Sequence, residues 1–213
     1  DLQQMVSLEI EHISIYSLTV EENTPLFTYV ENGRIQMTSD DLDARMYRFL
    51  SGYLRAHGYE HYEISNLARP GFRSRHNTKY WDGSHYFGYG PSAHSYDGGF
   101  RWWNVRDLAK YFALIRNNNS PIVERERLDR QLKMNEYLLT RLRTSEGISR
   151  SDWTHLFCEE FPESLSTFFK DLALQHPEWV HETADGWRLR PDGWLFADSI
   201  VEDAVNISDR VHV

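Results

Sequence analysis

Between residues 53 and 96 the chain gathers five of its ten histidines and seven of its twelve tyrosines. At the centre stands the run His76-Asn77-Thr78-Lys79-Tyr80-Trp81. Imidazole is a common axial ligand of heme iron. A porphyrin also needs a flat apolar wall, which Tyr80 and Trp81 can supply from a few residues away. Arg73 and Arg75 can pair with its propionates through two-pronged hydrogen bonds. His76, Tyr80, Trp81, Arg73 and Arg75 thus form one candidate heme site, with His76 as the metal ligand. A second reading stands beside it. A single histidine in a loop is more often a structural hydrogen-bonding residue, and Asn77 can hold such a loop by bonding backbone.

Other polar residues invite weaker readings. Glu63 and Asn66, in Tyr62-Glu63-Ile64-Ser65-Asn66, either face a ligand at a barrel mouth or tie down the loop that follows; the second is preferred. Gly88, Gly90 and Ser92 do not match a phosphate-loop spacing, and their glycines are read as allowing close backbone packing or a bulge. His85 and His94 are alternative iron ligands, with packing or surface roles preferred. Cys158 is the only cysteine, which excludes an internal disulfide and any all-cysteine metal site within one copy of these 213 residues.

These side chains need elements to position them. Residues 2–8 read as an amphipathic helix already under way, so a longer parent is expected. Residues 12–20 are rich in β-branched and aromatic types and read as a strand. This helix–strand pair is what the last repeat of an α/β barrel leaves behind. A helix capped by Ser39 or Asp40 runs to Gly58, and residues 59–65 alternate as a strand. Residues 66–77 read as a loop and 84–96 as an interrupted strand. A short strand at 101–103 precedes a helix capped by Asn104 and Asp107, with Leu108, Tyr111, Phe112 and Ile115 as its buried face. Residues 117–121 (NNNSP) form a linker. Beyond it come a long helix from about 124 to 143, shorter helices near 149 and over 163–175, and a hairpin turning at Ala184-Asp185-Gly186. Three helices and a hairpin follow the winged-helix order, with Trp179, Trp187 and Trp194 read as its core.

Composition narrows the function classes. The net charge is −9, and no Lys/Arg run is present, which argues against nucleic acid as a partner. A winged helix can dock in DNA, but the recognition-helix candidate carries Glu163 and Asp171 against Lys170, and DNA binding is rejected. No apolar run reaches transmembrane length, and no leader is seen, so a cytoplasmic location is expected. The charges of residues 124–130 read as a solvated helix face.

The run at His76 matches HNxxYW, and five further blocks accompany it in order: HISIYSLTVEENTPL (12–26), GYEHYEISNLARPGF (58–72), YFGYGPSAHSY (86–96), RLRTSEGI (141–148) and WRLRPDGWLFADSIV (187–201). Together they resemble the coproporphyrinogen III dehydrogenase and heme-chaperone family of radical-SAM proteins, and HNxxYW resembles its heme-chaperone branch. The resemblance covers nearly the whole chain. It implies an upstream partial barrel that holds a CxxxCxxC motif, a [4Fe–4S] cluster and S-adenosylmethionine. It implies an α+β fold for this chain: residues 1–116 as the remnant edge of the α/β radical-SAM barrel with inter-domain elements, and 117–213 as a mostly helical, winged-helix-like C-terminal domain. Ser17, Leu18 and Thr19 are then expected at the edge of the S-adenosylmethionine site. One position departs from the pattern: the family often has Cys two residues before the motif histidine, and here Ser74 stands there.

The function so implied is heme binding and delivery to an acceptor protein, with heme as the only group this chain itself would hold. The alternative is an oxygen-independent coproporphyrinogen III oxidase, which decarboxylates two propionates. A winged-helix interaction module is the alternative of another class, and it leaves residues 1–116 unexplained. This stretch alone is expected to lack radical chemistry. A half-exposed strand at 12–20 is also expected to pair with a second copy, as an artefact of the missing barrel.

Overall fold

The structure is a computed structural model and describes residues 1–211. Its first third contains α1 (Leu2–Ser7), β1 (His12–Ser14), α2 (Pro25–Glu31), α3 (Asp40–Ala56), β2 (Glu60–Glu63) and β3 (Asn66–Ala68). Local chemistry fixes the helix starts. The Thr24 and Ser39 hydroxyls accept from the backbone N–H of Phe27 and Leu42, and Pro25 opens α2. Asp40, Asp41 and Asp43 sit in the first turn of α3, where the helix dipole favours negative charge. The strands form an antiparallel sheet in the order β1-β3-β2. Ile13, Leu54, Tyr59 and Leu67 are buried together where α3 packs on it.

The strand expected over 12–20 ends at Ser14. Its partner β3 begins at Asn66, directly opposite Ser14, so beyond one further bond, from Ile15 N–H to the Ser65 carbonyl, nothing continues the ladder. Tyr16 and Leu18 are exposed. The long unpaired edge that the sequence implied is therefore short. Among the described residues every paired strand is antiparallel and no closed barrel forms.

The middle of the chain holds α4 (Arg75–Asp82), β4 (His94–Tyr96), β5 (Phe100–Asn104), α5 (Leu108–Arg116) and β6 (Ile122–Arg127). A second antiparallel sheet has the order β4-β5-β6. Three expectations change here. The 66–77 loop contains β3 and the start of α4. The interrupted strand at 84–96 reduces to β4 and one bridge between Tyr86 and Tyr96. The long helix from 124 divides into strand β6 and a shorter helix, because β6 finds a partner in β5 along its length. Arg125 lies 3.8 Å from the Phe100 ring centroid and 5.8 Å from that of Trp102, a cation–π contact only the strand geometry provides. The β5–β6 pairing joins residues on both sides of the 117–121 turn. Helix α5 starts at its Asp107 cap, as expected, but Leu108, Phe112 and Ile115 are exposed instead of buried.

The last third contains α6 (Arg130–Arg141), β7 (Ile148–Ser149), α7 (Arg150–Phe157), α8 (Glu163–Gln175), β8 (Val180–Glu182), β9 (Gly186–Leu189), α9 (Pro191–Trp194) and α10 (Ala197–Val211). Its antiparallel sheet runs β7-β9-β8. Trp153, Phe169 and Trp187 are fully buried beside Leu138, Leu142 and Leu165. Trp194 is buried too, and its indole N–H donates to the Leu142 carbonyl at 3.0 Å. Trp179, expected in the core, sits at its edge, stacked between His176 and Phe196. Gly147 adopts φ +73°, and a Cβ there would meet the Trp187 carbonyl oxygen at 2.3 Å, so this turn admits only glycine. No helix of the described residues is long and apolar enough to cross a membrane.

Candidate functional site

HNxxYW lies on a helix. The Ser74 hydroxyl accepts from the Asn77 N–H at 3.1 Å and caps α4, and Gly83 ends it in the left-handed conformation at φ +76°. Ser74, at the position where a cysteine was noted as common, therefore has a structural task here. Its own N–H donates to the Tyr62 hydroxyl at 3.3 Å, and that hydroxyl meets His12 Nε2 at 2.9 Å. A relay from β1 through β2 thus fixes where α4 begins.

Helical periodicity places His76 and Tyr80 on one face. The Tyr80 hydroxyl lies 2.9 Å from His76 Nε2, and the rings meet edge to face at 5.2 Å. Both side chains are exposed. His76 is thus an exposed residue whose Nε2 is engaged by Tyr80. Tyr80 continues an aromatic row, contacting Tyr86 at 4.7 Å, which contacts Tyr96 at 6.0 Å.

Behind this row lies a cleft of about 300 Å³ between α4, the β4–β5 sheet and α6. Tyr80, Trp81, Tyr86, Tyr96, Tyr137 and Phe157 supply its rings, and the basic Lys79, Arg101, Lys133 and Arg141 share the lining with the acidic Asp82 and Glu136. Arg101 is paired with Glu136. Burial raises the Tyr96 hydroxyl pKa, with Glu136 adding to it, so the ring stays neutral. The Trp81 indole N–H is buried and has no hydrogen-bond partner among the described residues. Such an orphan donor costs free energy unless something accepts from it. Tyr86, Tyr96, Arg101 and Arg141 were not singled out in the sequence; only the tyrosine density of the region hinted at the first two.

The remaining candidates are placed as follows. Arg73 is held by Glu146 at 2.5 Å and Glu60 at 3.2 Å, over the Tyr62 ring. Arg75 is exposed and makes no ion pair among the described residues. Ser17, Leu18 and Thr19 are exposed in the irregular segment after β1, and Ser17 donates to Asp43 at 2.7 Å. Glu63 is fully buried; it accepts from Asn66 and from the Ser65 N–H, so the pair ties down the β2–β3 turn. Burial pushes its carboxyl up to about 6. Gly88 belongs to close backbone packing, since a Cβ there would lie 2.2 Å from the His94 carbonyl oxygen; Gly90 has open space around it and instead adopts a φ of +107°, which side chains rarely take. His94 stacks on Trp103 at 5.5 Å. No group of three or more His, Cys, Asp or Glu among the described residues is placed to hold a metal ion.

Residues 128–196 match the HemN C-terminal domain. Across 199 residues the chain is 36% identical to the protein named heme chaperone HemW of Bacillus subtilis, an alignment that covers 92% of this chain and 51% of that protein. The chain belongs to the HemN-like radical-SAM family. A zebrafish relative, mitochondrial radical S-adenosyl methionine domain-containing protein 1, is 34% identical over 212 residues, 94% of this chain and 47% of that protein. The fold agrees with the structure of coproporphyrinogen III oxidase (HemN) from Escherichia coli at a TM-score of 0.69 and 16% identity, over 95% of this chain and 50% of that one. The chain spans about half the length of the curated relatives it matches. With Cys158 as the only cysteine of these 213 residues, one copy of the stretch cannot supply an all-cysteine donor set for an iron–sulfur cluster.

Proposed function

We propose that this chain supplies the heme-docking surface of a heme chaperone, with heme as cargo. The observation that carries the reading is the pairing of His76 with Tyr80 on the solvent-facing side of α4, beside an aromatic cleft whose lining holds more basic than acidic side chains. His76 Nε2 would take the iron once Tyr80 releases it. Tyr80 and Trp81 would offer ring faces, and Arg75 would meet a propionate; Arg73, held between two glutamates, would contribute through α4's position more than through charge. Relatives from four bacterial species that bear the heme-chaperone name support this reading.

In the longer protein, a [4Fe–4S] cluster and S-adenosylmethionine would belong to residues outside this stretch, with Ser17, Leu18 and Thr19 at the edge of that site. Residues 1–116 would complete the radical-SAM barrel, and residues 117–213 would form the winged-helix-like unit, in a cytoplasmic protein. A bare β1 edge would let isolated copies associate.

The test is heme transfer. Loaded with hemin, the protein should pass it to an apo-heme acceptor, and His76→Ala should not. The second reading, porphyrinogen oxidation, is favoured by the fold shared with the coproporphyrinogen oxidase. Anaerobic turnover of coproporphyrinogen by the longer protein would support it and sink the chaperone reading.

A further inference from the structure

A larger cleft, about 510 Å³, opens on another side of the molecule, between α3 and the β9–α9 segment. Four arginines line it: Arg48 and Arg55 from α3, Arg188 from β9, and Arg190 at the start of α9. Two carboxylates, Glu178 and Asp192, share the lining. The cleft therefore carries an excess of positive charge in a chain whose net charge is −9.

The internal pairs do not use up that excess. Asp192 accepts from Arg48 Nε at 2.5 Å, but both side chains remain more than two-fifths exposed. Glu178 approaches His176 at 3.4 Å. Arg190 meets His181 Nδ1 at 3.2 Å, and Arg188 reaches only the Ser145 carbonyl, at 3.5 Å. Arg55 forms no ion pair among the described residues, and its charge adds to the burial that keeps His61 neutral. Three guanidinium groups, those of Arg55, Arg188 and Arg190, thus line the cleft without a carboxylate partner among the described residues.

The lining also limits the ligand. Trp194 is almost fully buried and meets His61 edge on, so no ring face is offered to a porphyrin. Ser51, His61, Ser145 and His181 supply further polar groups. Guanidinium forks match the oxygens of phosphate and carboxylate groups. We infer that this arginine-lined cleft binds a small anion carrying two or more charges, of the phosphate or carboxylate class. The bound anion would take Arg55 and Arg188 directly and would compete with Asp192 for Arg48.

Isothermal titration calorimetry at constant ionic strength tests this, with pyrophosphate and citrate as the two probes. Saturable binding of either supports the site, and the preferred probe names the class. Arg55→Ala/Arg188→Ala should weaken binding about tenfold, while Arg106→Ala, at an exposed position outside the cleft, should leave it unchanged. Unliganded circular dichroism and melting should be alike for all three proteins. Should the double variant fold poorly, arginine Nε–H NMR signals of the parent chain decide instead: pyrophosphate or citrate should shift those of Arg55 and Arg188. No saturable binding of either probe at millimolar concentration would overturn the site. So would an equal loss in Arg106→Ala, or shifts confined to arginines elsewhere.

Discussion

The two ends of the chain hold themselves together differently. Among the described residues the C-terminal unit buries one cluster of seventeen apolar side chains, while the first sheet buries a cluster of four. What the first sheet adds is polar: His61, Glu63 and Asn66 are all buried on β2 and β3. Several large apolar groups nearby, Leu8, Tyr16, Leu18 and Phe49, stay exposed. The C-terminal unit is therefore stabilised mainly by packing; its Asp185 carboxyl, held below the usual carboxylate range by the Ser149 and Ser151 hydroxyls, adds a contribution that is lost as pH falls. The first sheet depends on hydrogen bonds whose strength follows protonation. The α4 site hangs between them, anchored to β1 and β2 through Tyr62 and facing α6 across its cleft.

The largest effect should come from the apolar side of this contrast. Trp153→Ala removes a fully buried ring that meets Tyr137, Phe157 and Phe161. It should cost about 3–5 kcal/mol in denaturant unfolding. Leu18→Ala, at an exposed position of the other region, should cost under about 0.5 kcal/mol.

The polar side predicts a pH effect of nearly that size. His61 is pushed down to about 4 by burial, with Arg55 adding to it. The unfolded chain binds this proton near 6.5 and the folded one near 4, so stability is complete above pH 6.5 and is lost as pH falls towards 4. The loss is roughly 3 kcal/mol. Glu63 acts with the opposite sign. Its raised pKa means the folded state holds a proton longer, so stability falls by about 2 kcal/mol as pH rises from 4.5 to 6. Melting between pH 4 and 7 should therefore show the His61 slope, partly offset by Glu63. His61→Gln should leave only the smaller, reversed slope; an unchanged profile would show that the polar core is not what the first sheet rests on.

Smaller effects are expected at α4. Tyr80→Phe removes the hydroxyl that engages His76 Nε2 and should tighten hemin binding about two- to tenfold, the worth of one net hydrogen bond. Arg75→Ala should weaken hemin binding more than Arg73→Ala, because Arg73 is already neutralised by Glu60 and Glu146. Arg73→Ala should instead cost stability, by under about 1 kcal/mol, as for partly exposed ion pairs.

The legibility of the sequence followed the same divide. In the C-terminal unit the turn at 184–186 and the apolar periodicity of α8 pointed to elements that exist, because a dense apolar core enforces local pattern. Caps were equally readable: Ser39 and Asp107 open α3 and α5. Strand β6 was not. Its sequence, IVERER, has helical propensity and becomes a strand only because β5 lies beside it, a tertiary effect no local pattern carries. Helix α4 lacks an apolar stripe, so its residue types marked the site while its conformation stayed hidden. Ser74 before it and Gly83 after it were the available signals. The aromatic cleft was illegible for a different reason: its walls come from residues about 50 positions apart, brought together by α4 packing near α6.

The central claim is that His76 can hold heme iron, and one measurement addresses it directly. Hemin is titrated into the wild-type protein and into His76→Ala, and the Soret and electron paramagnetic resonance spectra are compared with and without added imidazole. The wild type should give a histidine-ligated spectrum, His76→Ala should lose it, and imidazole should restore it in the variant. Identical spectra for the two proteins without imidazole would contradict the claim and return His76 to a structural partner of Tyr80.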